Sequence, residues 1–285
     1  MIADNVLKPL AILTPSRITT AQRYGFSKSS MDSLLQRLGG TPVSVVVVHD
    51  SPGWKNVIPK PLRCLSGQLR WDGRAKEIYA GPAVTWVDGE GSGSATALLL
   101  AVKVALAEGK TYGFIHLDDH VYGDRFRDIL TSGLRAMEER PNLLWTRFSG
   151  YPVMYEGKVP LVPNGNNQIA FDGVTLSPWR HDDCTVWSSP LTRAVNSGRY
   201  WPIAMWFCIY RLSVLEMLLE WAVAEGTKHL AHVELYFKNG VGFQRLLDTI
   251  PHGSFGYINM QFGGIEMHRN KNWEMLLSMP NDPTR

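Results

Sequence analysis

Apolar positions in the first half of the chain fall into short β-branched runs separated by longer segments of helical spacing. That is the pattern of strands alternating with helices. Leu-Ala-Ile-Leu-Thr after Pro9 predicts a strand ending at Thr14, and the unbroken run Val43 to Val48 predicts a buried central one. Met31, Leu34, Leu35 and Leu38 recur at helical spacing, so a helix is expected over Ser29 to Leu38, stopped by Gly39 and Gly40. Ala83 to Val87 predicts a third strand, Ala95 to Glu108 an apolar helix closed by Gly109, and Tyr112 to Leu117 a fourth, buried strand. A helix over about Asp124 to Glu139, stopped by Pro141, and a strand from Asn142 to Phe148 complete the series. The expected fold is α/β, a mostly parallel Rossmann-type sheet flanked by helices.

Beyond Gly150 the pattern weakens. Pro152, Pro160, Pro163, Pro178, Pro190 and Pro202 punctuate a stretch with few long periodic segments, which reads as loop-rich. Order returns with an apolar strand over Ala204 to Tyr210. A helix to about Glu225 follows, opened by Ser213 with Glu216 three residues on, the spacing of a capping box. A second helix is expected around Val233 to Ile250, with a break at Gly240-Val-Gly242. The chain therefore divides into residues 1–150 and 151–285, two halves of one domain. The tail from Pro280 is expected to fray.

The densest chemistry lies where the fourth strand ends, in His116-Leu-Asp-Asp-His120. Two carboxylates and an imidazole this close repel or desolvate one another unless a cation or hydrogen bonds compensate them. Hard oxygen ligands with one imidazole suit Mg or Mn, which makes Asp118, Asp119 and His120 metal candidates. The plainer alternative is helix capping, for which Asp119 or Asp124 is in place. The glycine run Gly89, Gly91, Gly93 stands between a strand and a helix but matches neither a dinucleotide fingerprint nor a P-loop. It is expected to be a helix-entry loop able to offer backbone donors to a phosphate.

Composition narrows the classes. With 285 residues and 45% hydrophobic content the chain can bury a large core, and its formal charge of +3 contains no long Lys/Arg run. Three cysteines, Cys64, Cys184 and Cys208, lack paired metal spacing, so neither a zinc ribbon nor a disulfide framework is expected. No stretch approaches the roughly 18 apolar residues of a membrane span, and a cytoplasmic, reducing location is expected. Ten Trp and ten Tyr serve mainly as core, with flat platforms for sugars or bases as the alternative use.

Taken in order, Leu10-Ala-Ile-Leu-Thr-Pro-Ser-Arg17, Val45-Val-Val-Val-His-Asp50, the helix from Ala95 and Phe114-Ile-His-Leu-Asp-Asp-His120 resemble the nucleotide-binding half of GT-A-fold glycosyltransferases, especially the family-2 type. The resemblance covers about residues 8 to 150. It implies that Pro15 and Arg17 form the first nucleotide-contacting turn and that Asp50 contacts nucleobase or ribose. It further implies that Asp118 and Asp119 lie near ribose and metal, with His120 in the last position of a D-x-D-like motif. His49 stands where the family has a second Asp, and Ser94-Ala-Thr-Ala97 replaces its Ala-Arg-Asn. Glu234 in His232-Val-Glu-Leu-Tyr236 resembles the acid of the family's Glu-Asp motif, with Leu235 in place of the Asp. Asp182 and Asp183 are the rival base pair. His252 or His268 is the expected further metal ligand.

The function implied is a Mn- or Mg-dependent glycosyltransferase, inverting in mechanism, that moves a sugar from a UDP- or GDP-type nucleotide sugar to a hydroxyl acceptor. The acceptor is a glycan, a small molecule or a hydroxylated DNA base. The alternatives are a nucleotidyltransferase on a related fold and a noncatalytic nucleotide- or glycan-binding protein.

Overall fold

The computed structural model describes residues 6–18, 21–50, 74–81, 83–89, 91, 93–117, 120–149, 162–164, 168–171, 174–181, 184–192, 203, 205, 208–238, 240–259 and 265–267. Along the chain the elements run β1 (Leu10–Ser16), α1 (Ala21–Leu38), β2 (Ser44–Asp50), β3 (Val84–Gly89), α2 (Ser94–Ala107), β4 (Tyr112–Ile115), β5 (His120–Tyr122), α3 (Phe126–Glu139) and β6 (Leu143–Ser149). There follow β7 (Val162–Asn164), β8 (Gln168–Phe171), β9 (Val174–His181), β10 (Cys184–Pro190), β11 (Cys208–Arg211), α4 (Leu212–Ala224), α5 (Leu230–Lys238), α6 (Val241–Thr249), β12 (Ser254–Asn259) and β13 (Ile265–Met267).

The main sheet has the order β3-β2-β1-β4-β11-β6-β12-β10-β9-β8-β7. Strands β3, β2, β1 and β4 pair in parallel, as their βαβ connections require. β11 enters antiparallel between β4 and β6, and β12 lies parallel to β6. Strands of the second half thus complete a sheet that the first half begins. β10, β9, β8 and β7 extend it as an antiparallel meander. The fold is α/β, a mostly parallel sheet with an antiparallel extension.

Period-two alternation sends side chains to two faces. Leu10, Ile12, Val45, Val47 and Phe114 meet α1 and α3 on one face, while Ala11, Leu13, Val46, Val48 and Ile115 meet α2 and α4 on the other. Gly113 in β4 allows the second of these layers to close, because a Cβ there would stand 2.6 Å from Leu13 and from Leu212. Both faces are covered, which explains why the central strands read as continuous apolar runs.

Several expectations are corrected. The first helix begins at Ala21, eight residues before Ser29; its opening turns carry Gln22, Arg23, Gly25 and Lys28 and so lack an apolar stripe. The stretch read as loop-rich contains β7 to β10. Pro178 lies opposite Trp187 of β10, and among the described residues β8 pairs no farther than Leu176, which leaves the proline without a described partner on its other side. The capping box at Ser213 does not form, since α4 starts at Leu212 directly out of β11 and Leu212 N–H donates to Thr111 C=O at 2.9 Å. Nor does Asp124 cap α3; it pairs with Arg37 of α1. The strand expected from Ala204 starts at Cys208, and Met205 N–H donates to the Glu234 carboxylate rather than to a neighbouring strand. The break expected at Gly240 is present and separates α5 from α6, while α5 begins at Leu230, three residues before the expected Val233.

Candidate functional site

The sheet order places the topological switch point between β1 and β4, where a crevice opens at the carboxyl ends of the strands. A cavity of about 300 Å³ lies there. Pro15, Ser16 and Arg17 reach it from the end of β1, Arg23 from the start of α1, and Asp50 from the end of β2. Gly93 and Ser94 at the start of α2, Leu117 after β4, and His229 with Leu230 at the start of α5 close the other side. A shallower hollow of about 430 Å³ along α1, lined by Lys28, Asp32 and Gln36 among others, is open surface bridged by the exposed Lys28–Asp32 ion pair.

Asp50 gives the crevice its chemical character. The apolar run Val45 to Val48 draws β2 into the sheet, and Asp50 at its end is only 4% exposed. Gly89 opposite lets β3 come close, since a Cβ there would stand 3.0 Å from His49 O. Among the described residues, Asp50 Oδ1 has no hydrogen-bond partner. A carboxylate oxygen withdrawn from water without a donor costs free energy that a ligand N–H or O–H would recover.

The second half of the chain reaches the crevice through a backbone seam. Ser94 Oγ accepts from Leu230 N–H at 3.2 Å, and Ala95 N–H donates to Lys228 C=O at 3.0 Å. Gly93, with φ of 101°, permits this approach; a Cβ would fall 2.3 Å from Lys228 O. His229 and Leu230 are therefore held at a fixed place against α2.

Beneath the strand ends, on the α1 face, lies a buried polar row of Thr14, Ser16, His49 and His116. Ser16 Oγ meets Tyr79 Oη at 3.3 Å, and His116 Nδ1 meets Tyr122 Oη at 2.5 Å. Burial pushes the His116 imidazole down to about 3 from 6.5, so it is neutral in the folded protein. The unfolded chain binds the proton first as pH falls, so this stability is complete above pH 6.5 and is lost progressively towards pH 3. We expect a slope of about 1.4 kcal/mol per pH unit in that window from this group. Denaturant unfolding of the protein and of His116→Gln across pH 4 to 7 should show the variant with the shallower decline; equal slopes would refute the assignment.

Of the residues singled out from sequence, Pro15, Arg17 and Asp50 come together in the crevice. Asp118, Asp119, Asp182, Asp183 and His268 lie outside the described residues. His120, expected in a loop, opens β5, which pairs with β13; it is fully buried and edge-on to Tyr122. Glu234 sits half-buried in α5, one carboxylate oxygen accepting Met205 N–H at 2.7 Å. His252 is exposed just before β12, whose first residue pairs with the start of β6, so it lies at the amino ends of the strands, away from the crevice. Among the described residues no three His, Cys, Asp or Glu side chains gather as a metal site. Cys208 is buried, and desolvation pushes its thiol up to about 12, which makes it unreactive.

Arg23, Ser94 and His229 were not singled out as site residues from sequence. Ser94 and Gly93 belong to the glycine-rich turn noted there. His229 carries no local signal, because the seam that places it joins residues 136 positions apart.

No family model matches the chain, and no curated protein matches it significantly. Among solved structures it is similar to a mannose-1-phosphate geranyltransferase from Thermus thermophilus, at 13% identity and a TM-score of 0.43, over 90% of this chain and 75% of that one. It is also similar to a protein assigned as a nucleotide-diphospho-sugar transferase from Desulfovibrio desulfuricans, at 10% identity and a TM-score of 0.31, over 50% of this chain. The matched part spans 58% of that protein, less than two thirds of its length. Likenesses of this size carry neither an activity nor a residue role to this chain.

Proposed function

We propose that this protein is a glycosyltransferase that holds a UDP- or GDP-type nucleotide sugar in the crevice at the β1/β4 switch point and passes the sugar to a hydroxyl acceptor. The observation that carries the reading is Asp50, a buried carboxylate whose Oδ1 has no donor among the described residues and which lines a cavity also reached by Arg17 and Arg23. Such a cavity suits a ligand that carries both hydrogen-bond donors and negative charge. A nucleoside diphosphate has both. The resemblance of residues 8 to 150 to GT-A enzymes supports the same ligand class.

In this reading Asp50 accepts from nucleobase or ribose, while Pro15 and Arg17 bound the nucleoside. The described residues do not by themselves form a metal set. The proposed Mn or Mg ligands are Asp118, Asp119 and His120, and His252 is left out because of its place at the other end of the sheet. A divalent cation at a diphosphate takes up charge that develops as the sugar departs. In an inverting transfer a carboxylate removes the acceptor hydroxyl proton, and Glu234 is the proposed base. The acceptor, whether glycan, small molecule or hydroxylated DNA base, would enter from the side of α5.

Asp50→Asn tests the reading. We expect calorimetric affinity for UDP or GDP to fall about tenfold, because one charge-assisted hydrogen bond is removed, with the metal requirement unchanged. The ligand-free variant should unfold at no lower denaturant concentration, since Oδ1 has no donor to lose among the described residues. Undiminished nucleotide affinity would overturn the role of Asp50.

A further inference from the structure

We propose that the phosphate end of the ligand lies where the N-termini of α2 and α5 converge, with His229 as its side-chain partner from the second half of the chain. This rests on the nucleotide reading and adds to it the direction in which the ligand lies.

Two helices of 14 and 9 residues begin at the same cavity, and their first residues, Ser94 and Leu230, both line it. Each helix N-terminus carries roughly half a positive charge, which favours an anion. Convergence is built by the seam in which Ser94 Oγ accepts Leu230 N–H and Lys228 C=O accepts Ala95 N–H. His229 is itself fixed by the start of α5, because its carbonyl accepts from His232 N–H at 2.9 Å and Val233 N–H at 3.2 Å. His229 lines the cavity, and an imidazole can donate an N–H to phosphate in either protonation state.

Asp50 supplies the independent observation and the polarity. It is the one carboxylate among the described residues that line the cavity, it is 4% exposed, and its Oδ1 has no described partner. A plain anion would leave that oxygen without a donor and would meet its charge. A ligand that turns N–H or O–H groups to Asp50 and phosphate to the paired helix starts satisfies both ends. Gly93 belongs to the same device, since any Cβ there would push Lys228 away and part the two helix starts.

The test is isothermal calorimetry in Mg²⁺ with UDP and GDP against uridine and guanosine, on the full chain and on His229→Ala, His229→Gln and Ser94→Ala. His229→Ala should weaken nucleoside diphosphate binding about tenfold and leave nucleoside binding unchanged. His229→Gln, which keeps an N–H donor, should recover part of the loss. Ser94→Ala removes the acceptor for Leu230 N–H and should give a smaller loss with the same preference for the phosphorylated ligand. His229 is exposed, so its replacement spares the core. If the unaltered protein binds neither diphosphates nor nucleosides, the nucleotide reading itself fails. If it binds diphosphates and His229→Ala loses nothing, or loses diphosphate and nucleoside alike, the phosphate placement is overturned while the nucleotide reading stands.

Discussion

Glu234→Gln is expected to lower turnover by about 10²–10⁴-fold, the usual contribution of a positioned general base, with donor affinity nearly unchanged. Glu234 lies in the first turns of α5, the helix whose start lines the crevice, on the side where the proposed function brings in the acceptor. One of its oxygens accepts Met205 N–H at 2.7 Å. Glutamine keeps a carbonyl oxygen for that hydrogen bond and removes only the basicity, so the substitution separates chemistry from support. Hydrolysis of UDP- and GDP-sugars in Mn²⁺, with water as acceptor, gives the rate, and calorimetry with the same nucleotides gives the affinity. An unfolding transition that stays in place would confirm that the Met205 segment is still held. Full activity in Glu234→Gln, together with loss in Asp182→Asn or Asp183→Asn, would move the base to the segment between β9 and β10.

Local pattern was enough for the elements whose apolar residues are periodic. β2, β4 and α2 could be read because both faces of the central sheet are covered and the code is a plain run of Val, Ile, Leu or Ala. Pro15, Arg17 and Asp50 came from the resemblance to GT-A enzymes, and the fold brings them together because residues at the carboxyl ends of adjacent parallel strands share one crevice. What could not be read depends on partners distant in the chain. β11 was visible as an apolar run, but its insertion between β4 and β6 was not, because strand order is decided by tertiary pairing. Pro178 suggested loop where β9 runs on beside β10, past the described residues of β8. His120 looked like the end of a loop motif, yet pairing of β5 with β13 draws it into a buried strand. His229 had no signal of its own. Its place comes from two hydrogen bonds to the start of α2 and from a glycine whose backbone only Gly adopts easily.

The second large effect concerns stability at the other end of the sheet. Arg211, the last residue of β11, donates from Nε to Leu143 C=O at 2.9 Å and from one terminal nitrogen to Arg140 C=O at 3.2 Å and to Met137 C=O. Its other terminal nitrogen reaches Tyr112 Oη at 3.4 Å, and the guanidinium lies 5.4 Å from the Tyr112 ring centre. Met137 and Arg140 end α3, whose last carbonyls have no intrahelical donors, and Leu143 opens β6. One planar cation therefore closes α3 and fastens it to three strands. Arg211→Ala would take the guanidinium donor from the Met137 and Leu143 carbonyls, while Arg140 C=O keeps Leu143 N–H at 2.9 Å, and we expect it to cost about 3 kcal/mol or more, on the basis of about 1.5–3 kcal/mol for a hydrogen bond to a charged group. Lysine offers a point charge instead of a fork and should recover only a small part. Urea unfolding followed by circular dichroism measures both variants. Because Arg211 pairs with Tyr112 at the start of β4, away from the crevice, the folded variant should keep the parent protein's affinity for any ligand of the crevice. A loss below about 1 kcal/mol, or full recovery with lysine, would mean that the α3 carbonyls are satisfied without the guanidinium fork.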